Sequence, residues 1–119
     1  MKNYQFSFEK LDVWQKSRKL VKNVYLISKK LPDDEKFALT SQIRRAATSV
    51  PANIAEGSSR FSKKDQSHFY QIAYSSLMEL MSHLYISLDL NYIKEDTILD
   101  IKPLIAEISR MLNSLLHKS

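Results

Sequence analysis

The 119-residue chain contains no cysteine. Disulfides, zinc–thiolate sites and cysteine nucleophiles are therefore excluded, and the composition fits a reducing compartment. One glycine and three prolines argue against a β-rich fold, which needs many tight turns. A single glycine also leaves no room for a glycine-rich phosphate loop or a dinucleotide fingerprint. There is no Gly-x-Ser-x-Gly elbow to support a serine hydrolase. No apolar run approaches the roughly 18 residues that a membrane-spanning helix needs. The start, Met1-Lys2-Asn3-Tyr4-Gln5-Phe6, has no apolar core of signal-peptide length. These absences lead us to expect a cytoplasmic protein with no membrane partner.

Metal chemistry is equally unsupported. His68, His83 and His117 show no zinc-ligand spacing. Glu79 and His83 lie four residues apart, not at the Glu-x-x-His spacing of di-iron bundles, and no second pair exists. Asp33-Asp34-Glu35 is an acidic cluster, but it already serves as a helix start. The expectation is no metal, no cofactor and no catalytic residue, hence not an enzyme.

What the chain does have is helical periodicity. Hydrophobic residues make up 44% of it, enough for one core in one domain over residues 1–119. Residues 1–10 show no period and read as a short arm in which Phe6 and Phe8 could dock. A helix follows over about 12–30, with Val13, Ser17, Leu20, Val21, Val24 and Leu31 on one side and Trp14 and Tyr25 flanking them. Arg18, Lys19, Lys22, Lys29 and Lys30 gather opposite. Pro32 stops this helix. Asp33 or Asp34 is placed to cap a second one over about 35–56, with Glu35 in its first turn. Gly57 is placed as its C′ residue, where positive φ is easy.

The second helix carries the stretch Gln42-Ile43-Arg44-Arg45-Ala46-Ala47-Thr48-Ser49-Val50-Pro51-Ala52-Asn53-Ile54-Ala55-Glu56-Gly57. Pro51 removes one hydrogen bond at a cost of about 3 kcal/mol, so the helix either kinks or breaks and restarts there. The apolar stripe stays in phase from Val50 to Ile54, which favours one kinked helix. Asn53 sits on the edge of the stripe, and a buried amide needs partners. Arg44, Arg45 and Glu56 lie off it, open to pairing across a helix contact or a subunit contact.

Ser62 and Asp65 resemble a capping box at the start of a third helix over about 63–91. Phe69, Tyr70, Ala73, Tyr74, Leu77, Leu80, Met81, Leu84, Tyr85 and Leu88 cover nearly half of its circumference. Apolar surface that wide usually meets more than one neighbour, so part of it is expected to face another subunit. Asn91 to Asp96 is a turn, with Asp96 as N-cap of a fourth helix over about 97–116. That helix carries Ile98, Ile101, Ile105, Ile108, Leu112, Leu115 and Leu116 in one stripe, with Pro103 near its start. His117-Lys118 suits its negative pole. Four amphipathic helices with short links specify an all-α, antiparallel up-and-down four-helix bundle.

Charge is unevenly spread. The net charge is +5, yet residues 1–31 alone hold eight Lys/Arg against Glu9 and Asp12, which is +6. A solubilising helix face and a polyanion-facing surface both fit this asymmetry. In the second reading Lys16, Arg18, Lys19, Lys22, Lys29 and Lys30 contact RNA or DNA phosphates. Gln42, Arg44, Arg45, Asn53, Glu56 and Glu79 then hold helices or subunits together.

The sequence also resembles a known family. The carrying residues are Leu11-Asp12-Val13-Trp14-Gln15, Pro32 with Glu35, and Gln42-Ile43-Arg44-Arg45-Ala46-Ala47 followed by Ser49. They continue through Asn53-Ile54-Ala55-Glu56-Gly57 and Ser75-Ser76-Leu77-Met78-Glu79-Leu80. These resemble bacterial four-helix bundle proteins encoded in intervening sequences of 23S rRNA genes. The likeness covers about residues 6–93, and the fourth helix matches only in pattern. It implies a bundle that assembles into a homopentameric ring. It also implies kinship with the accessory proteins of diversity-generating retroelements, which bind nucleic acid and a reverse transcriptase. The basic positions of the first helix are not part of that motif. Two functions are thus expected as alternatives: an oligomeric nucleic-acid-associated bundle, or a scaffold that docks a protein such as a nucleic-acid enzyme.

Overall fold

The computed structural model describes residues 4–117. Its long helices are α1 (Asp12–Ser28), α2 (Leu39–Ser58), α3 (Lys63–Asp89) and α4 (Glu95–Leu116), with 3-10 turns at Ser7–Lys10 and Asp33–Glu35. Among the described residues there is no strand. Each helix packs on its neighbours in sequence, and α4 closes the square against α1. Side-chain bonds fix the directions. Arg44 near the start of α2 reaches Ser28 at the end of α1, and Lys102 in the first half of α4 reaches Tyr85 late in α3. Lys30, just past α1, meets Thr97 at the start of α4. Consecutive helices therefore run antiparallel, as the periodicity predicts.

The core is the meeting of four stripes. Leu20 and Val24 of α1, Ile43, Val50 and Ile54 of α2, Leu77, Leu80 and Leu84 of α3, and Ile108 and Leu112 of α4 are fully buried. α2 contributes the small residues Ala46, Ala47 and Gly57 to this interior. Small side chains let helix axes approach closely, and the α2–α3 pair has the most extensive packing in the bundle. Along α3 the apolar surface exceeds what the core takes up. Met78, Tyr85, Ile86 and Leu90 are left at least partly outside. The α1–α4 seam is thinner and grooved, with a cleft of about 600 Å³ lined by Leu11, Val13, Met111 and Leu115 at one end.

Several expectations about helix ends are corrected. The second helix begins at Leu39, not near residue 35. Ala38 takes φ −121°, ψ −105°, outside the helical region, and separates the Asp33–Glu35 turn from α2. Neither Asp33 nor Asp34 caps it, since neither 3-10 turn nor helix has a capping bond from them. Glu35 acts instead from outside the helix. Its carboxylate accepts the Leu39 N–H at 3.3 Å and the Tyr92 hydroxyl at 2.8 Å. The second contact ties the α1–α2 link to the α3–α4 link and holds the Tyr92 hydroxyl protonated above the usual tyrosine range.

Gly57 is not a C′ residue. It lies inside α2 with no positive φ. The reason for glycine is space. A Cβ there would meet Tyr70 Cε1 at 2.7 Å and the Gln66 carbonyl oxygen at 3.2 Å. At the fourth helix, Lys94 rather than Asp96 is the N-cap and offers no side-chain bond. Asp96 sits in the first turn, where its charge still complements the helix dipole.

Other expectations hold. α2 runs without a break through Pro51, which matches the in-phase stripe. Ser62 caps α3, its Oγ accepting the Asp65 N–H at 3.1 Å. Asn91 turns the chain at φ 65°, a left-handed conformation that asparagine tolerates. In the arm, Phe8 docks edge-on against Trp14 with ring centres 4.8 Å apart, while Phe6 stays exposed. Residues 1–3 of the arm and Lys118 lie outside the described residues.

Candidate nucleic-acid interface

α1 is helical because its apolar residues recur every third or fourth position and nothing within it breaks the pattern. That same periodicity sends the intervening basic residues outward. Lys19, Lys22 and Lys29 are exposed and form no ion pair among the described residues. The first and last lie ten positions apart, or roughly 15 Å at 1.5 Å per residue. Arg18 is exposed beside them, its guanidinium 5.1 Å from the Trp14 ring centre and donating to Gln15 Oε1 at 3.2 Å. This stacking holds the arginine head without neutralising it.

The structure separates the other two basic positions from this row. Lys16 Nζ lies 3.4 Å from Asp12 and 3.8 Å from Glu107 of α4, so its charge is used within the bundle. Lys30 turns to the α1–α4 seam and donates to Thr97 Oγ1 at 3.3 Å. The six candidate residues are therefore not one surface. Four form an outward cationic row, and two stitch α1 to α4.

The six residues read as helix or subunit contacts also divide. Arg44 links α2 to α1: its Nε donates to Ser28 Oγ at 2.9 Å, and its guanidinium lies 4.7 Å from the Tyr25 ring centre. Asn53 links α2 to α3 through a relay. Its Nδ2 donates to both the carbonyl and the Oγ of Ser49, and Ser49 Oγ lies 2.9 Å from Ser76 Oγ of α3. Glu56 pairs with Arg60 at 2.9 Å, and Glu79 with His83 at 3.1 Å, each one turn along its own chain segment. Gln42 and Arg45 are exposed on α2 and have no side-chain partner among the described residues.

The relay makes a prediction. Ser49→Ala removes the partner of Ser76, whose residue is buried. An orphaned buried hydroxyl costs about 1–3 kcal/mol. Ser49→Ala should therefore lower stability by about that amount in urea unfolding, and adding Ser76→Ala should recover part of it. A double variant as unstable as the sum of the singles would show that the two hydroxyls are independent.

Ser49, Ser76, Ser28 and Tyr25 escaped the sequence reading as contact residues. The available signal was phase alone, since Ser49 and Asn53 share the edge of α2 that meets α3. Among the described residues no group of three or more His, Asp or Glu side chains converges as a metal site, and no helix is long and apolar enough to cross a membrane.

Comparison with known proteins places this arrangement. A family model described as 23S rRNA-intervening sequence protein matches residues 9–114. Among solved structures, the chain is similar to a protein of unknown function from the S23 ribosomal protein family of Bacteroides thetaiotaomicron VPI-5482. The two are 27% identical, with a TM-score of 0.81, and the match covers 89% of this chain and 99% of that one. No curated protein matches.

Proposed function

This chain belongs to the 23S rRNA-intervening sequence protein family, and from that premise we propose that it is a non-enzymatic, oligomeric bundle that holds nucleic acid in the cytoplasm. The observation that carries the reading is the outward row of Arg18, Lys19, Lys22 and Lys29, which no carboxylate among the described residues neutralises. Such a row positions phosphates without reading bases. One helix offers few contacts, and several copies multiply them through effective concentration. The family resemblance implies a homopentameric ring, and the apolar residues left outside on α3 offer surface for contact between copies.

The test is binding of RNA and of DNA by the purified protein across a salt series, with its mass determined on the same sample. A ring that binds with affinity falling steeply as salt rises is the expected result. Lys19→Glu with Lys22→Glu should weaken binding at least about tenfold and flatten the logarithmic salt slope by roughly 2 for each copy that touches the strand, because each lost phosphate contact removes about one released counterion. The helical content should not change, since both side chains are exposed. Affinity unaltered by the double reversal would overturn this reading.

The runner-up is a scaffold for a protein that itself works on nucleic acid. No binding at low salt, together with recovery of one specific protein after nuclease treatment, would favour it.

A further inference from the structure

The arm ahead of α1 is held in one shape. The Phe6 N–H donates to the Glu9 carboxylate at 2.8 Å, the Glu9 N–H returns to the Phe6 carbonyl, and Gln15 of α1 donates to the Glu9 carbonyl at 3.0 Å. Phe8 rests edge-on against Trp14, which packs on the core. These contacts set out a file of rings. Phe6 lies parallel to Phe8, with planes 9° apart and centres 6.2 Å apart, and Tyr4 stands edge-on to Phe6 at 5.1 Å. At its inner end the file passes from Trp14 to the Arg18 guanidinium at 5.1 Å, the first member of the outward cationic row.

The outer end of this file is unused by the fold. Tyr4 is 61% exposed and Phe6 59%, although aromatic rings contribute most when they are buried. With Phe8, both border a cleft of about 510 Å³ whose α2 side carries the small residues Ala52 and Ala55. That volume lies within the range of small-ligand sites. The nearby carboxylates are already engaged. Glu9 holds the Phe6 N–H, Asp12 pairs with Lys16, and Glu56, which also borders the cleft, pairs with Arg60. Lys10, Arg18 and Lys19 have no carboxylate partner among the described residues. Open ring faces and unspent positive charge therefore adjoin.

Phosphate charge alone does not call for rings. Cations hold duplex and single strand alike. A duplex keeps its bases stacked inside, and only an unpaired strand offers base faces to a side chain. We propose that the arm and α1 form one track for a single-stranded nucleic acid, with unpaired bases stacking on Tyr4 and Phe6 while Arg18, Lys19 and Lys22 hold the phosphates. The track presupposes the nucleic-acid reading of the α1 row and names its substrate class, an unpaired strand. The order already present in the arm favours it, because groups fixed before binding lose little freedom on binding.

The test measures, by fluorescence anisotropy at several salt concentrations, binding of the full chain to a labelled oligonucleotide and to the same strand annealed to its complement. The pair is made in DNA and in RNA, and the tighter single strand identifies the nucleic acid. In that pair the single strand should bind more tightly than the duplex. Tyr4→Ala with Phe6→Ala should weaken single-strand binding at least about tenfold and leave duplex binding unchanged. The salt slope should also stay, because no phosphate contact is lost. Lys19→Glu with Lys22→Glu flattens that slope, so the two pairs of variants report different contacts. Tyr4→Trp with Phe6→Trp keeps two stacking faces and should bind the single strand at least as well as the original. All four substitutions lie at exposed positions, so the thermal midpoint and the mass of the assembly should not move. A single strand that binds no tighter than the duplex, or whose affinity the alanine pair leaves unaltered, would overturn the proposal while leaving phosphate binding by the α1 row in place. A fall in the mass of the assembly with the alanine pair would also overturn it, and would make the rings a contact between copies. Binding of neither strand nor duplex at low salt would remove the nucleic-acid reading itself, and the track with it.

Discussion

Gly57→Val should be among the most damaging single substitutions in this protein, costing about 3 kcal/mol or more of a total stability near 5–15 kcal/mol. Gly57 is buried in the last turn of α2, facing the first turns of α3. An added Cβ would stand 2.7 Å and 2.9 Å from two ring carbons of Tyr70. Tyr70 is itself 7% exposed, so the ring has little room to move aside. Alanine is the milder probe. It places one carbon in that contact, at a typical overpacking cost of about 1–3 kcal/mol. It also gains up to about 1 kcal/mol of helix propensity over glycine. The two terms leave Gly57→Ala a small net loss, whereas valine adds two more carbons and a poorer helix former. Urea unfolding of Gly57→Ala, Gly57→Val and each combined with Tyr70→Leu measures this directly. The tyrosine change should make either glycine variant cheaper. If Gly57→Ala stabilises the protein whatever stands at position 70, the ring contact does not govern this site.

Leu80→Ala carries the other large effect. Leu80 is fully buried in the middle of α3 and faces the interior that all four helices share. Removing three carbons from such a site costs the transfer free energy plus that of the cavity left behind, about 2–5 kcal/mol together. For a domain of this size the midpoint of thermal unfolding should fall by about 10 °C or more. The same truncation at Ile86, also on α3 but exposed, should leave the thermal midpoint of an isolated chain nearly unchanged. If Ile86→Ala lowers the midpoint or the mass of the assembly as much as Leu80→Ala does, the outer side of α3 is covered in solution.

The four-helix architecture was legible because it depends on phase. Val13, Leu20 and Val24 can share only one side of a helix, and the same holds for Ile98, Ile105 and Leu112. The outward position of Lys19 and Lys22 follows from that phase with no further information. What phase does not determine is the partner. Lys16 looks like its basic neighbours until α4 brings Glu107 beside it. Gly57 was misread for the same reason. Glycine after an apolar stripe matches the common helix stop, but the demand for no side chain comes from Tyr70 on another helix. The start of α2 was misplaced because a row of acids after proline is a sound capping signal in isolation. Here Glu35 is engaged by Tyr92, which lies far along the chain. The relay from Asn53 through Ser49 to Ser76 was half visible. The need of an amide for partners could be anticipated, but which hydroxyls would serve could not.

The unequal seams of the bundle carry a kinetic consequence. α1–α2, α2–α3 and α3–α4 each join neighbours in sequence, so their contacts close short loops and can form quickly. Only the α1–α4 seam requires distant parts of the chain to meet, and it is the thinner, grooved one. The α2–α3 hairpin, with its close approach and serine relay, is then the natural nucleus. The last closure should then be that of α4 on α1, and the first opening under stress should reverse it, releasing Lys16 and Lys30 from Glu107 and Thr97 while the central hairpin stays intact.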